Sequence, residues 1–218
     1  VGETHARPWL YKWIVLALTT GLMLSDYATR AVISGVFPLI KSEWGLSDVE
    51  LGALVSVIPL IVGIGSFPIS LLADRWGRVK SVTAMAGLWC LATIACGFSQ
   101  SYGHLMLARA GVGLGEAGYG GAGGAILAHV FPPDRRSLAF GIMVAASLFG
   151  MVAGVVVGGY AGASHGWRSA FLLVGAVSLI LVVLYPLIVR DYKTVALTTR
   201  DPAHQGTTRR MGVLEVIR

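Results

Sequence analysis

The chain has 218 residues, of which 55% are hydrophobic and 13% are charged, with a formal net charge of +6 and a mean hydropathy of +0.73. So few charged residues exclude a water-soluble globular domain of this length. The Lys and Arg residues are divided among several connections, whereas a nucleic-acid-binding protein would gather them in one basic patch with aromatic residues. The composition therefore predicts an integral membrane protein that binds no nucleic acid.

Hydrophobic stretches long enough to cross a bilayer recur six times along the chain. A transmembrane helix needs ~20 mostly apolar residues to cross ~30 Å of hydrocarbon. Four stretches contain no Asp, Glu, Lys or Arg, and two others, beginning at Tyr11 and Tyr102, are interrupted by a few charges. We therefore expect an all-α bundle of six transmembrane helices, with spans at about 11–37, 51–73, 81–103, 102–131, 137–164 and 169–189.

The connections between these stretches support the count. Ser47 and Glu50 have the spacing of a capping box, which satisfies free N–H groups where the second span begins. Pro132 and Pro133 end the fourth span. We expect three parts in the chain: a cytoplasmic N-terminal tail at 1–10, a six-helix transmembrane domain at 11–190 and the start of a cytoplasmic interdomain linker at 191–218.

The distribution of Lys and Arg predicts the orientation in the membrane. If the N-terminus is cytoplasmic, the inner connections and tails hold most of these residues, and the outer connections hold only Lys41 and Arg168. This asymmetry follows the positive-inside rule. We expect a multi-pass protein of the plasma membrane, the cell inner membrane, with its N-terminus in the cytoplasm and membrane lipids around it.

Four charged residues fall inside the predicted spans: Asp26 and Arg30 in the first, and Arg109 and Glu116 in the fourth. An unpaired charge at a helix centre costs roughly 3 kcal/mol on insertion scales, so such a residue usually has a partner and a task. Each pair has a spacing that places it on one helix face. Counting ~1.5 Å per residue puts Asp26 and Arg109 at similar depths. We therefore expect Asp26 to pair with Arg109 across the two helices.

Glu116 lies near mid-membrane, further along the same face. A low-dielectric environment favours the neutral form of a carboxyl group, which makes Glu116 a candidate proton carrier. Tyr119, one turn beyond, is placed to share its hydrogen bond. The alternative is that these ion pairs only hold the helices together, and that Arg30 extends to the outer surface.

The glycines of the fourth span match a nucleotide-binding pattern. The letters GLGEAG at 113–118 fit GxGxxG. A phosphate-binding turn follows a strand and faces water, whereas this segment lies inside a hydrophobic span. Small residues in membrane helices let neighbouring backbones approach closely. We therefore expect Gly113 and Gly115 to pack helices, and Gly150, Gly154 and Gly158 to do the same on the fifth span.

The cysteines and histidines give no sign of an active site. Cys90 and Cys96 are six residues and ~9 Å apart on one span, too far for an unstrained disulfide. The five histidines are scattered over tails and span ends, and no HExxH or GxSxG motif occurs. An intramembrane enzyme would need such a motif or a metal cluster. We therefore expect no enzyme, no metal and no cofactor.

The connection between the second and third spans carries a family signature. The letters SLLADRWGRVK at 70–80 resemble the motif found there in the major facilitator superfamily, with Ser70 in place of glycine and Val79 in place of a basic residue. Arg109, Gly113 and Gly115 resemble the family's helix-four pattern. The residues of the first motif that are kept are Leu72, Asp74, Arg75, Gly77 and Arg78.

Within that superfamily, the chain looks most like the spinster-like branch, although Tyr27 stands where the branch usually has an arginine. The resemblance implies two six-helix bundles that rock about a central site, and the C-terminal six-helix domain is missing from this chain. It implies a cytoplasmic gating latch formed by Asp74, Arg75, Gly77, Arg78 and Lys80. It also implies a site for substrate and protons formed by Asp26, Tyr27, Arg30, Arg109, Glu116 and Tyr119.

From these residues and this resemblance we expect a secondary active transporter. It would be proton-coupled and would move a small organic anion, or an amphiphilic, lipid-like solute, by alternating access. Arg30 and Arg109 favour an anion because a guanidinium binds a carboxylate through two parallel hydrogen bonds. The alternatives are a proton-independent facilitator, an exporter of the same fold, and a transport-inactive half that serves as a scaffold.

Overall fold

The computed structural model of the protein describes residues 9–76 and 78–189, with side chains described for 9–69 and 79–189. Within these residues the chain is entirely helical, which confirms the predicted fold class. The helices are α1 (Trp9–Trp44), α2 (Asp48–Trp76), α3 (Arg78–Gly97), α4 (Tyr102–Glu116), α5 (Tyr119–Val130), α6 (Pro133–His165) and α7 (Trp167–Ile188). By length and composition, α2, α3, α6 and α7 can each cross a membrane.

The first predicted span is part of α1, a helix of 36 residues. This helix ends at Trp44, and the next residue, Gly45, has a positive φ of 64°, a conformation that favours glycine. The predicted capping box then starts α2. The Ser47 N–H donates to the Glu50 carboxylate at 2.8 Å, and the Glu50 N–H donates to the Ser47 hydroxyl at 3.3 Å. These reciprocal bonds confirm the capping prediction.

The fourth predicted span is two helices rather than one. Ala117 and Gly118 interrupt it between α4 and α5, and Gly118 provides no side chain to cap α5. A backbone hydrogen bond from Ala122 N to Gly118 O, 3.3 Å long, marks the start of the new helix. Glycine has a high entropic cost in a helix, so a glycine-rich segment is a weak point in the span. The break lies between Glu116 and Tyr119, two of the predicted site residues.

Glycines allow close contact between α1 and α6. The places where Cβ atoms would project from Gly150, Gly154 and Gly158 lie against the carbonyl oxygens of Leu24, Ala28 and Val32. Any larger residue at these positions would push the two helices apart. The backbone of α1 is therefore held directly against the backbone of α6 over about two turns.

Two other glycines bring α4 against α2 and α3. A Cβ on Gly113 would lie 3.0 Å from the carbonyl oxygen of Ile58 on α2. One on Gly115 would lie 2.5 Å from the backbone nitrogen of Trp89 on α3. Both contacts are of the kind expected from small residues in a membrane bundle. They bring the segment that carries Glu116 into the centre of the bundle.

The hydrophobic core consists of two clusters at different heights. The cluster nearer the start of α1 contains Leu22 and Tyr119, and the other contains Val32 and Leu105. Along α1, Asp26 lies between these two clusters. The core is therefore divided by a polar layer at about the middle of the bundle.

At the end of the bundle where α1 terminates, a group of side chains joins three helices. Trp167 Nε1 donates to Glu43 at 2.6 Å, and Arg168 Nη1 lies 2.9 Å from the same carboxylate. Arg168 Nε also donates to the Ser99 carbonyl at 3.1 Å, and the Trp44 and Trp167 rings meet edge to face. We call these five residues the outer clasp, after the side of the membrane that the sequence predicts for this end of the bundle. It ties the end of α1 to the end of α3 and the start of α7.

Candidate functional site

The polar layer is built from α1 and α4. Asp26 and Arg30 are one turn apart on α1, and Glu116 is the last residue of α4. The side chain of Asp26 is 4% exposed and that of Glu116 is 0% exposed, whereas Arg30 is 27% exposed. Two carboxyl groups are therefore enclosed by protein, and the guanidinium between them reaches an open surface.

Arg30 interacts with both carboxyl groups. Its Nε and Nη2 donate to the two oxygens of Asp26, each at 3.4 Å. Its Nε also lies 2.9 Å from Glu116 Oε2. The N–H does not point at that oxygen, and Oε2 accepts no hydrogen bond from the described residues. Arg30 is thus hydrogen-bonded to Asp26, while its contact with Glu116 is one of charge alone.

The two carboxyl groups also meet each other. Arg30 Nε lies 3.4 Å from Asp26 Oδ1 and 2.9 Å from Glu116 Oε2, so the two carboxyl groups lie close together. A direct hydrogen bond between two carboxyl groups requires a proton on one of them, because an ionised carboxylate only accepts. Thr29 lies beside Glu116, with its hydroxyl 2.7 Å from the Asp26 main-chain oxygen and 3.4 Å from Glu116 Oε1. The arrangement can hold one proton between two buried acids.

Arg109 does not pair with Asp26, so that prediction is wrong. Its Nε donates to the Leu54 carbonyl at 2.5 Å, and its Nη2 donates to the Arg30 carbonyl at 3.3 Å. Side chains lean toward the start of their own helix. Because α1 and α4 run in opposite directions, Asp26 and Arg109 lean apart. For the same reason Asp26 and Glu116 lean toward each other, although their backbones differ in depth.

Tyr119 does not share a hydrogen bond with Glu116 either. Its hydroxyl donates to the Thr19 carbonyl on α1 at 2.6 Å, and its ring packs edge to face on Trp89 at 5.1 Å. Tyr119 lies beyond the break after Glu116, and its side chain contacts an earlier part of α1 than the part that carries Asp26. Tyr27 lies beside Arg30, with the guanidinium 4.9 Å from the centre of its ring.

With this geometry established, the chain can be compared with known proteins. The model of the Major Facilitator Superfamily matches residues 19–213. The chain belongs to that superfamily. This match confirms the prediction drawn from the motifs at 70–80 and in the fourth span.

Individual superfamily members show how far the similarity extends. An MFS-type efflux pump of Mycolicibacterium smegmatis is 35% identical over 80% of this chain and 40% of its own length. A probable L-galactonate transporter of Escherichia coli is 28% identical over 82% of this chain and 40% of its own. The chain therefore spans less than half the length of these relatives.

A solved structure gives the same result. A bacterial homologue of the human lysosomal transporter Spinster, in an inward-facing and unoccupied conformation, superposes with a TM-score of 0.78 at 27% identity. The match covers 87% of this chain and 44% of that one. The predicted likeness to the spinster-like branch is thus confirmed, as is the correspondence to one six-helix half of a superfamily transporter.

Most side chains of the superfamily's gating motif lie outside the part of the structure in which side chains are described. Asp74 and Arg75 belong to α2 and Arg78 begins α3, but their side chains are not described, and Gly77 lies outside the described residues altogether. Lys80, in the first turn of α3, is exposed. The latch formed by these residues stays a prediction.

Thr29 and the main-chain acceptors of Arg109 were not predicted from the sequence. Thr29 follows Asp26 by three residues, so its presence on the same helix face could have been inferred from spacing alone. Its hydroxyl carries no distinctive signal in the sequence, because Thr is common and tolerated in membrane helices. The carbonyl of Leu54 carries no signal in the sequence, since every residue of α2 has one.

Proposed function

We propose that this chain is the N-terminal half of a proton-coupled secondary transporter that moves a small organic anion by alternating access. In this proposal it lies in the plasma membrane, the cell inner membrane, with its N-terminus in the cytoplasm. It works with a C-terminal six-helix domain, and its cytoplasmic motif forms the gating latch. The observation that carries the proposal is the pair of buried carboxyl groups of Asp26 and Glu116, both in contact with Arg30.

The charges of this layer link proton binding to anion binding. Two carboxyls, Asp26 and Glu116, face two guanidiniums, Arg30 and Arg109, so the layer is neutral when both acids are ionised. One added proton leaves a net positive charge, which attracts an anion. By linkage, a bound anion raises the affinity for the proton by the same factor. Cotransport of a proton and an anion follows from this reciprocity.

Arg30 is the group best placed to bind the anion. Its side chain is 27% exposed, the largest value among the charged side chains of the layer. Its guanidinium also lies over the ring of Tyr27. Arg109, by contrast, is 1% exposed and is held by two carbonyls. When a carboxyl of the pair takes up a proton, its attraction for Arg30 falls, so the guanidinium becomes free to bind a carboxylate.

The names of the relatives support this class of substrate. The probable L-galactonate transporter is named for a carboxylate, and a gallate transporter of Pseudomonas putida is 30% identical over 80% of this chain. Neither name fixes the solute here. An amphiphilic or lipid-like anion would present the same carboxylate or phosphate to Arg30.

A transport assay tests the proposal. The full-length protein is reconstituted in liposomes and its uptake of a panel of organic anions is measured with and without a pH gradient. We expect Glu116→Gln and Asp26→Asn to reduce gradient-driven uptake about tenfold or more, since each removes one carboxyl of the proton-binding pair. Glu43→Gln is the matched control, because it neutralises an acid of α1 in the outer clasp, away from the pair.

The outcomes separate the alternatives. Unchanged gradient-driven uptake in both Glu116→Gln and Asp26→Asn would reject the carboxyl pair as the proton site. Uptake by the unaltered protein that does not depend on the pH gradient would indicate a facilitator. Absence of any flux would indicate a scaffold.

Export is a second candidate, and one observation favours it. Gly150, Gly154 and Gly158, which pack closely on α1, resemble the glycine pattern common in exporters of the superfamily, although the proline usual there is missing. One relative is named an efflux pump. A proton-driven exporter would exchange protons for its solute. In the same liposomes, solute would then leave the compartment that gains protons, which is the opposite of cotransport.

A further inference from the structure

The hydroxyl of Thr29 lies between the main chain of α1 and the carboxyl group of Glu116. Thr29 is 1% exposed, and its Oγ1 lies 2.7 Å from the main-chain oxygen of Asp26 and 3.4 Å from Oε1 of Glu116. A threonine hydroxyl has one hydrogen to donate. Thr29 therefore has two acceptors and can serve only one of them at a time, with a turn of the O–H bond and no movement of heavy atoms.

The two acceptors differ in how they respond to a proton. The carbonyl of Asp26 is a main-chain group of α1 and accepts equally well at any pH. The carboxyl of Glu116 is a strong acceptor when it is ionised and a weaker one when it carries a proton. Its other oxygen accepts no hydrogen bond from the described residues. An ionised Glu116 would therefore accept the hydrogen bond of the Thr29 hydroxyl.

We propose that Thr29 is a positioning residue that donates its hydroxyl hydrogen to ionised Glu116 and returns it to the Asp26 carbonyl when Glu116 binds a proton, and so sets the pH at which transport is activated. This inference rests on the proposed proton-coupled function. It adds a neutral group, absent from the predicted site, that responds to the proton without carrying it.

The charged and titratable groups around Glu116 are unchanged in the Thr29 and Thr93 variants whose pH dependence is compared below. Asp26 and Arg30 face it from α1, and Arg109 acts on it from its own helix. Tyr119 follows on α5, and Cys90 of α3 lies near Asp26. None of these is altered when Thr29 is replaced, so a changed pH profile reports on the hydroxyl.

Replacement of Thr29 by Val removes the hydroxyl and keeps the branched shape. The ionised form of Glu116 then loses a donor, so protonation becomes easier and uptake persists to higher pH. We expect the midpoint of the pH dependence of uptake to rise by about one pH unit, the value of one hydrogen bond to a charged group. Thr29→Ser keeps the hydroxyl and should leave the midpoint within about 0.3 pH units of the original.

Thr93 provides a matched control on α3. It is also 1% exposed, and its hydroxyl donates to the Trp89 carbonyl at 2.7 Å, the same kind of intrahelical bond that Thr29 makes. Thr93→Val should therefore leave the midpoint unchanged. An unmoved midpoint in Thr29→Val, or an equal shift in Thr93→Val, would overturn the proposal.

A second measurement does not depend on transport. Infrared spectroscopy of the full-length protein in detergent detects the C=O stretch of a protonated carboxyl, and Glu116→Gln identifies the band. In Thr29→Val the band should appear at higher pH and at a shifted frequency, because its hydrogen bonding differs. If liposomes show no proton coupling but the band still shifts, the proposed function fails and with it the control of transport by Thr29, while the hydrogen bond from Thr29 to ionised Glu116 is upheld. If coupling is present and the band is unchanged, only the role of Thr29 fails.

Discussion

The polar layer and the outer clasp contain the same chemistry in different surroundings. Each has a carboxylate of one helix against an arginine, and each joins α1 to another helix. In the clasp, Glu43 is 41% exposed and Arg168 is 37% exposed. In the polar layer, Glu116 is 0% exposed. Water can therefore solvate the charges of the clasp, whereas those of the layer depend on one another.

The number of hydrogen bonds also differs. Glu43 accepts from Trp167 at 2.6 Å and from Arg168 at 3.1 Å. One oxygen of Glu116 accepts none from the described residues. A carboxylate with fixed donors has little reason to change its protonation near neutral pH, whereas a buried one with few donors does. We infer that the clasp fastens the bundle and that the layer can respond to protons.

The largest expected effect that tests this contrast is the loss of the shared arginine. Arg30→Met leaves two buried carboxyls without their nearest cation, and it should destabilise the folded protein by about 3 kcal/mol, the low end for a broken buried pair. Arg168→Met in the clasp should cost about 1 kcal/mol or less because its pair is exposed. Thermal unfolding of both variants of the full-length protein in detergent measures the difference. Equal losses would show that burial does not distinguish the two regions.

Much of the fold could be predicted because the composition of a short stretch of sequence is enough to identify a membrane helix. The spans, the capping box of Ser47 and Glu50, and the charged positions of α1 and α4 all follow from short stretches of sequence. The break at Gly118 was not predicted because a glycine-rich segment remains apolar, and hydropathy does not register an interruption of a helix. Because this break was not predicted, Tyr119 was wrongly expected to share a hydrogen bond with Glu116.

The partners of the charged residues were harder to predict than their positions. Depth alone matched Asp26 with Arg109, but the opposite directions of α1 and α4 make those side chains diverge and bring Glu116 to Asp26 instead. The clasp could not be predicted for a different reason. A tryptophan at the start of a span is typical of an interfacial anchor, and nothing in the sequence shows that the Trp167 N–H donates to Glu43, which is 124 residues away.

A smaller effect is expected from the backbone contact that supports α1 near the polar layer. A Cβ added to Gly154 would lie 2.9 Å from the Ala28 Cα and nearer still to its carbonyl oxygen. Gly154→Ala should therefore push α1 away from α6 and destabilise the protein by about 2 kcal/mol. Gly159→Ala is the matched control, since its nearest neighbour is the Gly35 carbonyl oxygen at 3.8 Å. The two unfolding temperatures should differ, and identical values would contradict close packing here.

The smallest expected effect concerns the clasp in acid. Partial desolvation raises the pKa of Glu43, but hydrogen bonds from Trp167 and Arg168 outweigh it, so the pKa lies below its ordinary value. A carboxyl with a lowered folded-state pKa stabilises the protein above its unfolded pKa of about 4.3, and this contribution is lost as the pH falls through the folded value.

Thermal unfolding of the full-length protein in detergent between neutral and acid pH tests this sign. Glu43→Gln should reduce the loss of stability on acidification relative to the unaltered protein, because the carboxyl that takes up the proton is gone. Trp167→Phe removes one donor and should move the loss toward the ordinary pH range of a glutamate. Since other acids titrate in the same range, the difference between the curves is the informative quantity. Superimposable curves for Glu43→Gln and the unaltered protein would mean that the clasp is not held by an ionised Glu43.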